Sequence, residues 1–296
     1  MGRLSTGTNG RDGRIVAGLL ATGGAELRDL PWRRTLDPWR VLVSEVMLQQ
    51  TSVARVLQRY SAFIERFPTP AALAGAPLGE ALALWQGLGY PRRCRNLHAA
   101  ATVVAAEMDG ELPRSLESLL SLPGVGQYTA RAVLAFTRSA DTAVVDTNVS
   151  RVLSRLDGRP MTARELQQRA DSLVPQGLAW EWNQVLMDFG ATRCTARNPS
   201  CRDCPLAPEC RWAGDPDVAD PAPMSAAASR PQARFEGSDR QARGRAMRAL
   251  VDGPRTRGQL VEVMALGDDP GRAHGLLDAL VAEGLAADDG VVVSLP

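Results

Sequence analysis

Apolar residues recur every three or four positions through most of this chain, which is the spacing of amphipathic helices. The pattern predicts a helix from Pro38 to Tyr60, with Asp37 as its N-cap, and two shorter helices between Pro68 and Pro91. Two helices joined by a tight turn are predicted over residues 115–138, and further helices over residues 147–156, 162–175 and 180–190. Strand-like alternation is absent before the C-terminus, so residues 1–212 are predicted to be all-α.

Three segments differ in composition from this helical region. Residues 1–13 are polar and glycine-rich, which predicts a disordered tail, and residues 213–237 are rich in Pro, Ala and Asp, which predicts a linker. Residues 238–296, the C-terminal module, show a helix, then helices over Thr256–Met264 and Asp269–Glu283, then a short hairpin. This order is typical of a winged-helix module.

Composition and charge narrow the classes of function. Hydrophobic residues make up 45% of the chain, yet no apolar run is long enough for a membrane span and no export leader is visible, so we expect a cytoplasmic protein. Residues 1–212 carry 25 Arg against 20 Asp and Glu, a net +5 that suits a polyanionic partner. The chain contains no lysine, which excludes chemistry through a lysine Schiff base.

The stretch from Leu122 to Asn148 contains the first candidate site. Its turn, LPGVG, leads directly into a helical pattern, and backbone N–H groups at such a helix N-terminus bind phosphate. Asp146 follows a short apolar run and precedes the next helix, where the helix dipole favours its ionised form. The pair suggests chemistry on the sugar or backbone of a nucleic acid. An ordinary helix joint with an N-capping Asp is the alternative.

Glu45 is the second candidate, because it shares a predicted helix face with Val41, Leu42 and Leu48. A carboxyl group in apolar surroundings is held protonated unless it is paired, which suits a proton donor. A core glutamate that pairs with a nearby arginine is the alternative reading.

A third candidate is the loop that ends in Tyr90. Gly87 and Gly89 break the preceding helix, and Arg92, Arg93 and Arg95 follow the tyrosine. An aromatic ring beside a basic cluster is typical of a wedge that enters a base stack while the cations hold phosphates. A solvated loop with a packed tyrosine is the alternative.

Four of the five cysteines lie close together, at positions 194, 201, 204 and 210, in the spacing C-x6-C-x2-C-x5-C. Without an export signal a disulfide framework is not expected, so the thiolates predict a metal site. The spacing alone leaves both zinc and an iron–sulfur cluster open. Cys94 stands apart from the group.

Several segments together resemble the MutY adenine DNA glycosylase family of the endonuclease III superfamily. They are LPWR (30–33), SEVMLQQT (44–51), GLGY (87–90), LPGVGQYTA (122–130), VDTNVSRV (145–152) and the four-cysteine loop. The resemblance implies a mainly α helix-hairpin-helix DNA glycosylase fold. It implies a six-helix barrel over residues 36–146, and an iron–sulfur cluster domain formed by residues 14–35 and 147–212. It also implies a [4Fe–4S] cluster bound by Cys194, Cys201, Cys204 and Cys210.

The resemblance also implies residue roles. Glu45 would be the general acid and base, Asp146 would stabilise a sugar cation, and Tyr128 and Asn148 would assist. A larger group would contact the DNA or the bases: Arg33, Leu48, Gln50, Thr51, Tyr90, Leu122, Gly124, Gly126, Gln127 and Met187. Gln50 and Tyr90 would lie at the partner base.

The implied activity is removal of adenine mispaired with 8-oxoguanine or guanine from double-stranded DNA, by a monomer without lyase activity. An endonuclease III-like lyase needs a lysine where this chain has Tyr128, and is excluded. A mismatch thymine or uracil glycosylase lacks the acid in SEVMLQQT, and an iron–sulfur DNA-binding regulator leaves Glu45 unexplained.

Three features depart from the family pattern. VDTN replaces the commoner VDGN, Pro91 replaces a tyrosine, and residues 238–296 are too short for a Nudix-like domain. The C-terminal module carries 7 Arg against 9 Asp and Glu, so its net charge does not predict a DNA clamp. We therefore expect Gln50 and Tyr90 to read the lesion, with the module contributing secondarily.

Overall fold

The computed structural model describes residues 10–23, 27–228, 233–267 and 269–296. Within them the chain forms fifteen α-helices and a single two-stranded sheet. The helices are α1 (Arg11–Gly23), α2 (Pro38–Leu48), α3 (Val53–Leu57), α4 (Tyr60–Arg66), α5 (Pro70–Ala74), α6 (Leu78–Leu84), α7 (Arg92–Glu107), α8 (Leu116–Leu120), α9 (Gln127–Phe136), α10 (Thr147–Asp157), α11 (Ala163–Asp171), α12 (Ala179–Thr192), α13 (Asp239–Val251), α14 (Arg257–Met264) and α15 (Pro270–Ala282). The mainly α prediction is confirmed.

The described residues form two compact units. The first contains residues 10–23, 27–41, 114–117 and 126–228, and the second contains residues 42–113, 118–125, 233–267 and 269–296. Residues 126–146 therefore group with the cysteine region, and the C-terminal module groups with α3 to α7. The division into a six-helix barrel and a cluster domain stays a prediction.

The predicted helix from Pro38 to Tyr60 is wrong in its length. Asp37 caps its start as expected, since its Oδ1 accepts a hydrogen bond of 2.9 Å from the Trp39 amide. The helix ends at Leu48, however, and Gln50 adopts a left-handed conformation with φ of 54° before α3 begins at Val53. The interruption separates two helices where the apolar pattern alone suggests one.

Helices α1, α10 and α12 pack together in the first unit, where Trp182 and Leu19 are fully buried. The buried Asn183 side chain fixes the segment that leads to Asp146. Its Oδ1 accepts 2.8 Å from the Val144 amide, and its Nδ2 donates 2.9 Å to the Thr142 carbonyl. The buried side-chain amide of Asn183 therefore holds the backbone segment that leads into α10.

Two predicted boundaries need correction. Helix α1 begins at Arg11, so the predicted tail is too long by three residues, while residues 1–9 lie outside the described chain. The first part of the predicted linker is packed against α10, where Asp220 pairs with Arg155 at 2.6 Å and Ser225 bonds Ser154 at 2.6 Å. These polar contacts, made with residues far away in the sequence, hold the Pro- and Ala-rich segment against α10.

The C-terminal module has the predicted order of three helices and a hairpin. Strands β1 (Ala287–Asp288) and β2 (Val293–Ser294) pair antiparallel. The chain end lies against α6, where the Gly79 amide donates 2.7 Å to the Pro296 carbonyl. A Cβ on Gly79 would come within 2.6 Å of that oxygen, so the contact requires glycine. No helix in the described ranges is long and apolar enough to cross a membrane.

Candidate active site and DNA-binding residues

Asp146 caps α10 with two strong hydrogen bonds. Oδ1 accepts 2.7 Å from the Val149 amide, and Oδ2 accepts 2.7 Å from the Asn148 side chain. Burial raises the pKa of Asp146 above its ordinary value, although these bonds and the charge of Arg151 oppose the rise. The sequence predicted the opposite direction from the helix dipole alone. A nearby cation would therefore stabilise an ionised Asp146 more strongly than it would stabilise a carboxylate in water.

Arg151 is a residue that the sequence reasoning missed. Its guanidinium donates 2.8 Å to Asn148 Oδ1, 2.5 Å to the Gly190 carbonyl and 2.7 Å to the Cys194 carbonyl. It therefore ties the side chain that holds Asp146 to the beginning of the cysteine loop. The helical i, i+3 spacing of Asn148 and Arg151 was the available signal.

Gly190 allows α12 to approach the start of α10 closely. A Cβ at this position would lie 2.7 Å from the Asn148 Cβ and 3.0 Å from the Asn148 carbonyl oxygen. Only glycine fits there without moving Asn148. The position of Asp146 thus depends on a backbone contact that its own helix does not make.

Arg33 and Asp188 form a buried ion pair in the first unit. Asp188 Oδ2 accepts 2.7 Å from Arg33, and both carboxylate oxygens also bind Arg28. Burial of Asp188 opposes ionisation, but the hydrogen bonds from Arg33 and Arg28 outweigh it and lower its pKa to about 2. Asp188 was missed, although it is a lone acid in the apolar second half of α12, next to the predicted Met187, which is buried.

Three predicted residues of the first unit lie at the start of α9. Gly126 is extended, with φ of −99°, and the helix begins at Gln127 without a side-chain cap. Gln127 is exposed and Tyr128 is half-buried. A helix that starts from a glycine without a capping side chain has the geometry that anions bind.

In the second unit Glu45 is buried on α2, with 4% of its surface exposed, and Leu48 is half-buried at the end of the same helix. Ser44 and Val46, its neighbours in the chain, are also buried. Val41 and Leu42, which share its predicted helix face, are buried as well, and the role of Glu45 stays a prediction.

The predicted wedge loop and the loop after α2 each contain a left-handed residue that is not glycine. Gln50, which is exposed, has φ of 54°, and Tyr90, which is half-buried, has φ of 49°. Arg93 links their two loops, because it donates 2.9 Å to Thr51 Oγ1 and 3.0 Å to the Gly89 carbonyl. Its guanidinium also lies 5.6 Å from the centre of the Tyr90 ring.

The three arginines after Tyr90 all have partners within the protein, and their contact with phosphates stays a prediction. Arg93 donates 2.7 Å to the Val46 carbonyl, and burial lowers its pKa to about 10. Arg92 donates 2.6 Å to Glu283 of the C-terminal module, and Arg95 donates to the Glu283 carbonyl. These cations hold the ends of helices and join the module to α7.

The hairpin turn has the tight geometry that its glycines predict. Leu122 is buried and its carbonyl accepts 3.1 Å from the Val125 amide. Gly124 has φ of 76°, and a Cβ there would lie 2.7 Å from the Asn96 Cβ. Both the backbone conformation and the close approach require glycine at this position.

The four clustered cysteines line one cavity in the first unit. Donors surround their sulfur atoms: Arg155 lies 3.4 Å from Cys194 Sγ, and the Ala213 amide donates 3.2 Å to Cys210 Sγ. Arg155 is itself buried and donates 2.8 Å to the Thr195 carbonyl. In the part of the chain that is described, no group of three His, Cys, Asp or Glu side chains converges as it would on one metal ion.

Comparison with known proteins identifies the family. Residues 43–176 match the family model described as HhH-GPD superfamily base excision DNA repair protein. The chain is 46% identical over 267 residues to the adenine DNA glycosylase of Mycolicibacterium smegmatis, an alignment that covers 87% of each protein.

Two solved structures are similar in fold. A thermostable thymine-DNA glycosylase aligns with a TM-score of 0.64 and 29% identity, covering 69% of this chain and 97% of its own. A non-covalent endonuclease III–DNA complex aligns with a TM-score of 0.61 and 25% identity, covering 69% and 96%. The helix-hairpin-helix glycosylase fold is therefore confirmed. The chain belongs to the adenine DNA glycosylase family, whose members hydrolyse N-glycosidic bonds in base excision repair.

Proposed function

We propose that this protein removes adenine mispaired with 8-oxoguanine or guanine from double-stranded DNA, by hydrolysis and without cutting the strand. The observation that carries the proposal is Asp146, whose half-buried carboxyl group is held by two hydrogen bonds at the start of α10. Loss of a purine from deoxyribose develops such a cation on the sugar. Hydrolysis of a glycosidic bond generally uses two carboxyl groups in contrasting environments.

Glu45 takes the role of general acid and then base. Its buried position on α2 suits a carboxyl that gives a proton to the departing adenine and afterwards takes one from the attacking water. Asp146 stabilises the oxocarbenium-like sugar through its negative charge, and Asn148 keeps that carboxylate oriented. Tyr128 assists near the sugar.

DNA binding is assigned to backbone and loop groups. The amides of Gly124, Gly126 and Gln127 would donate N–H groups to a phosphate beside the flipped nucleotide, and the buried Leu122 would hold the turn in place. Around the bases, the proposed contacts come from Arg33, Leu48, Gln50, Thr51, Tyr90 and Met187. Tyr90 and Gln50 would face the partner base. Through them we expect the protein to prefer 8-oxoguanine.

The cysteine cavity supports a [4Fe–4S] cluster bound by Cys194, Cys201, Cys204 and Cys210. Four thiols that line one cavity, with guanidinium and amide donors to sulfur, suit an anionic metal–sulfur cluster of the kind that the family resemblance implies. Such a cluster would fix the loop between residues 194 and 210. We further propose that the protein is a cytoplasmic monomer.

A thymine glycosylase is the second candidate, because the chain resembles the structure of a thermostable thymine-DNA glycosylase. The two activities differ in the need for a proton donor to the leaving base. Glu45, buried in the segment that marks the adenine branch, favours adenine. The absence of lysine argues against a strand-cutting lyase that acts through a lysine Schiff base.

Single-turnover excision by three variants tests the proposal. Glu45→Gln and Asp146→Asn should each slow release of adenine from an A:8-oxoG duplex by ~10²–10⁴-fold, because each loses the proton or charge that the step needs. Duplex binding should stay near wild type. Glu65→Gln, an exposed residue of α4, is the matched control and should excise at the wild-type rate. Rates within tenfold of wild type for Glu45→Gln or Asp146→Asn would refute the assignment.

A further inference from the structure

A groove of about 1270 Å³ lies in the second unit, beside Tyr90. One side is formed by α3, the loop over residues 86–92 and the end of α6. The other side is formed by Phe235 and by α13 of the C-terminal module. The module therefore completes a surface that the predicted wedge loop begins.

The groove is strongly basic. Among the described residues that line it there are six arginines and one carboxylate: Arg55, Arg92, Arg240, Arg243, Arg245, Arg248 and Asp239. The carboxylate, Asp239, is paired with Arg272 at 2.7 Å. Four of the arginines come from α13, so the net negative charge of the module conceals a basic helix. The expectation that the module lacks a basic face is wrong for this helix.

The arginines differ in how they are held. Arg243 donates 2.6 Å to Glu283, and Arg245 donates 3.1 Å to the Met264 carbonyl. Arg55 and Arg248 are exposed, and their guanidinium groups make no hydrogen bond or ion pair with any described residue. Charges that the fold itself does not use are available to an anionic ligand.

Aromatic rings lie among these cations. Arg240 donates 3.2 Å to the Tyr90 hydroxyl and lies 5.3 Å from the centre of the exposed Phe235 ring. Arginines interleaved with aromatic rings along a groove are typical of surfaces that bind nucleic acid. From Arg240 to Arg248, α13 rises ~12 Å at ~1.5 Å per residue, which matches about three nucleotides of one strand at ~3.4 Å each. This length suits a polymer better than one phosphate.

We propose that this arginine groove is a second DNA-contact surface, in which α13 binds the sugar–phosphate backbone next to Tyr90. The C-terminal module then acts as a clamp on the DNA, and Arg240 is a positioning residue for the Tyr90 ring. The proposal rests on the proposed function only in that the chain acts on duplex DNA.

Binding of Arg248→Gln and Arg55→Gln to DNA tests the groove. Two probes are used: an undamaged duplex, which does not depend on adenine excision, and the same duplex with one A:8-oxoG pair. Affinity is measured from 50 to 200 mM salt. Each lost phosphate contact should make the slope of log affinity against log salt concentration shallower by ~0.9. The ratio of wild-type to variant affinity should therefore fall about 3.5-fold between 50 and 200 mM salt. Both probes should be affected equally.

Arg255→Gln is the matched control, because this arginine belongs to the module and lies outside the groove, and among the described residues its side chain bonds only the adjacent Pro254 carbonyl. Its affinity and salt slope should equal those of wild type. Melting temperatures of all three variants report whether the fold is intact.

Two results would overturn the proposal. One is a salt slope for Arg248→Gln equal to that of Arg255→Gln. The other is weakened binding to the A:8-oxoG duplex alone, since that would mean base reading without a backbone contact. Failure of Glu45→Gln to stop excision would instead count against the proposed chemistry and leave the groove result standing.

Discussion

Gly190→Ala probes the placement of the proposed catalytic carboxylate from outside its own helix. The new methyl group would lie 2.7 Å from the Asn148 Cβ, whereas carbon atoms in contact sit ~3.5–4.0 Å apart. Helices α10 and α12 must therefore separate by ~1 Å. Since Asn148 donates to Asp146, the carboxylate moves with it.

Stability and catalysis should respond very differently to this change. Overpacking costs ~1–3 kcal/mol, while replacing glycine by alanine inside a helix recovers ~1 kcal/mol, so the free energy of unfolding should fall by at most ~2 kcal/mol. A ~1 Å displacement of a catalytic group can cost ~10²-fold in rate. We expect a modest loss of stability with a large loss of excision rate.

The assay is single-turnover adenine release, alongside urea unfolding. Gly275→Ala is the control, because Gly275 also lies inside a helix, α15, and a Cβ there would meet nothing within 4 Å. It should gain ~0.5–1 kcal/mol of stability and excise at the wild-type rate. An excision rate for Gly190→Ala within threefold of wild type, in a folded protein, would show that the position of Asn148 does not govern catalysis.

Three other variants probe the contacts around this site. Arg151→Met removes the hydrogen bonds to Asn148 and to the Cys194 carbonyl, so excision should slow by ~10-fold or more, and the bound iron should be lost faster in air. Protein purified without oxygen should contain equal iron and sulfide, and Cys201→Ala should lose both; stoichiometric zinc would contradict the cluster. Asp188→Asn should lower the free energy of unfolding by ~2 kcal/mol at neutral pH. The wild-type carboxyl group contributes about this much because folding lowers its pKa from 3.8 to about 2. Because this pKa is lowered on folding, the difference should vanish as the pH falls from 3.8 towards 2, and a constant difference in urea midpoints would refute the cause.

Local features of the fold could be predicted from the sequence. Asp37 and Pro38 mark the start of α2, and the glycines of the hairpin mark a turn, because both signals act within a few residues. The break after Leu48 could not be predicted in this way. It depends on Arg93, which binds the end of α2 from more than forty positions along the chain.

The candidate site likewise contains residues that could be predicted from the sequence and residues that could not. Residue types at fixed spacing pointed to Glu45, Asp146 and the cysteines. The network that orients Asp146 was missed, since Arg151 and Gly190 become relevant only when α10 and α12 pack together. Net charge failed for the C-terminal module for a related reason. It sums over all surfaces, whereas four of the module's arginines lie on α13 and line one groove.

The central claim is that this chain releases adenine, and measuring the base set free from four duplexes tests it most directly. The duplexes carry A:8-oxoG, A:G, T:G and U:G pairs and differ at no other position. We predict free adenine from the first two, released faster opposite 8-oxoguanine, with an abasic strand left intact. Release of thymine or uracil without adenine would contradict the claim, and so would a strand cut through an adduct that borohydride traps.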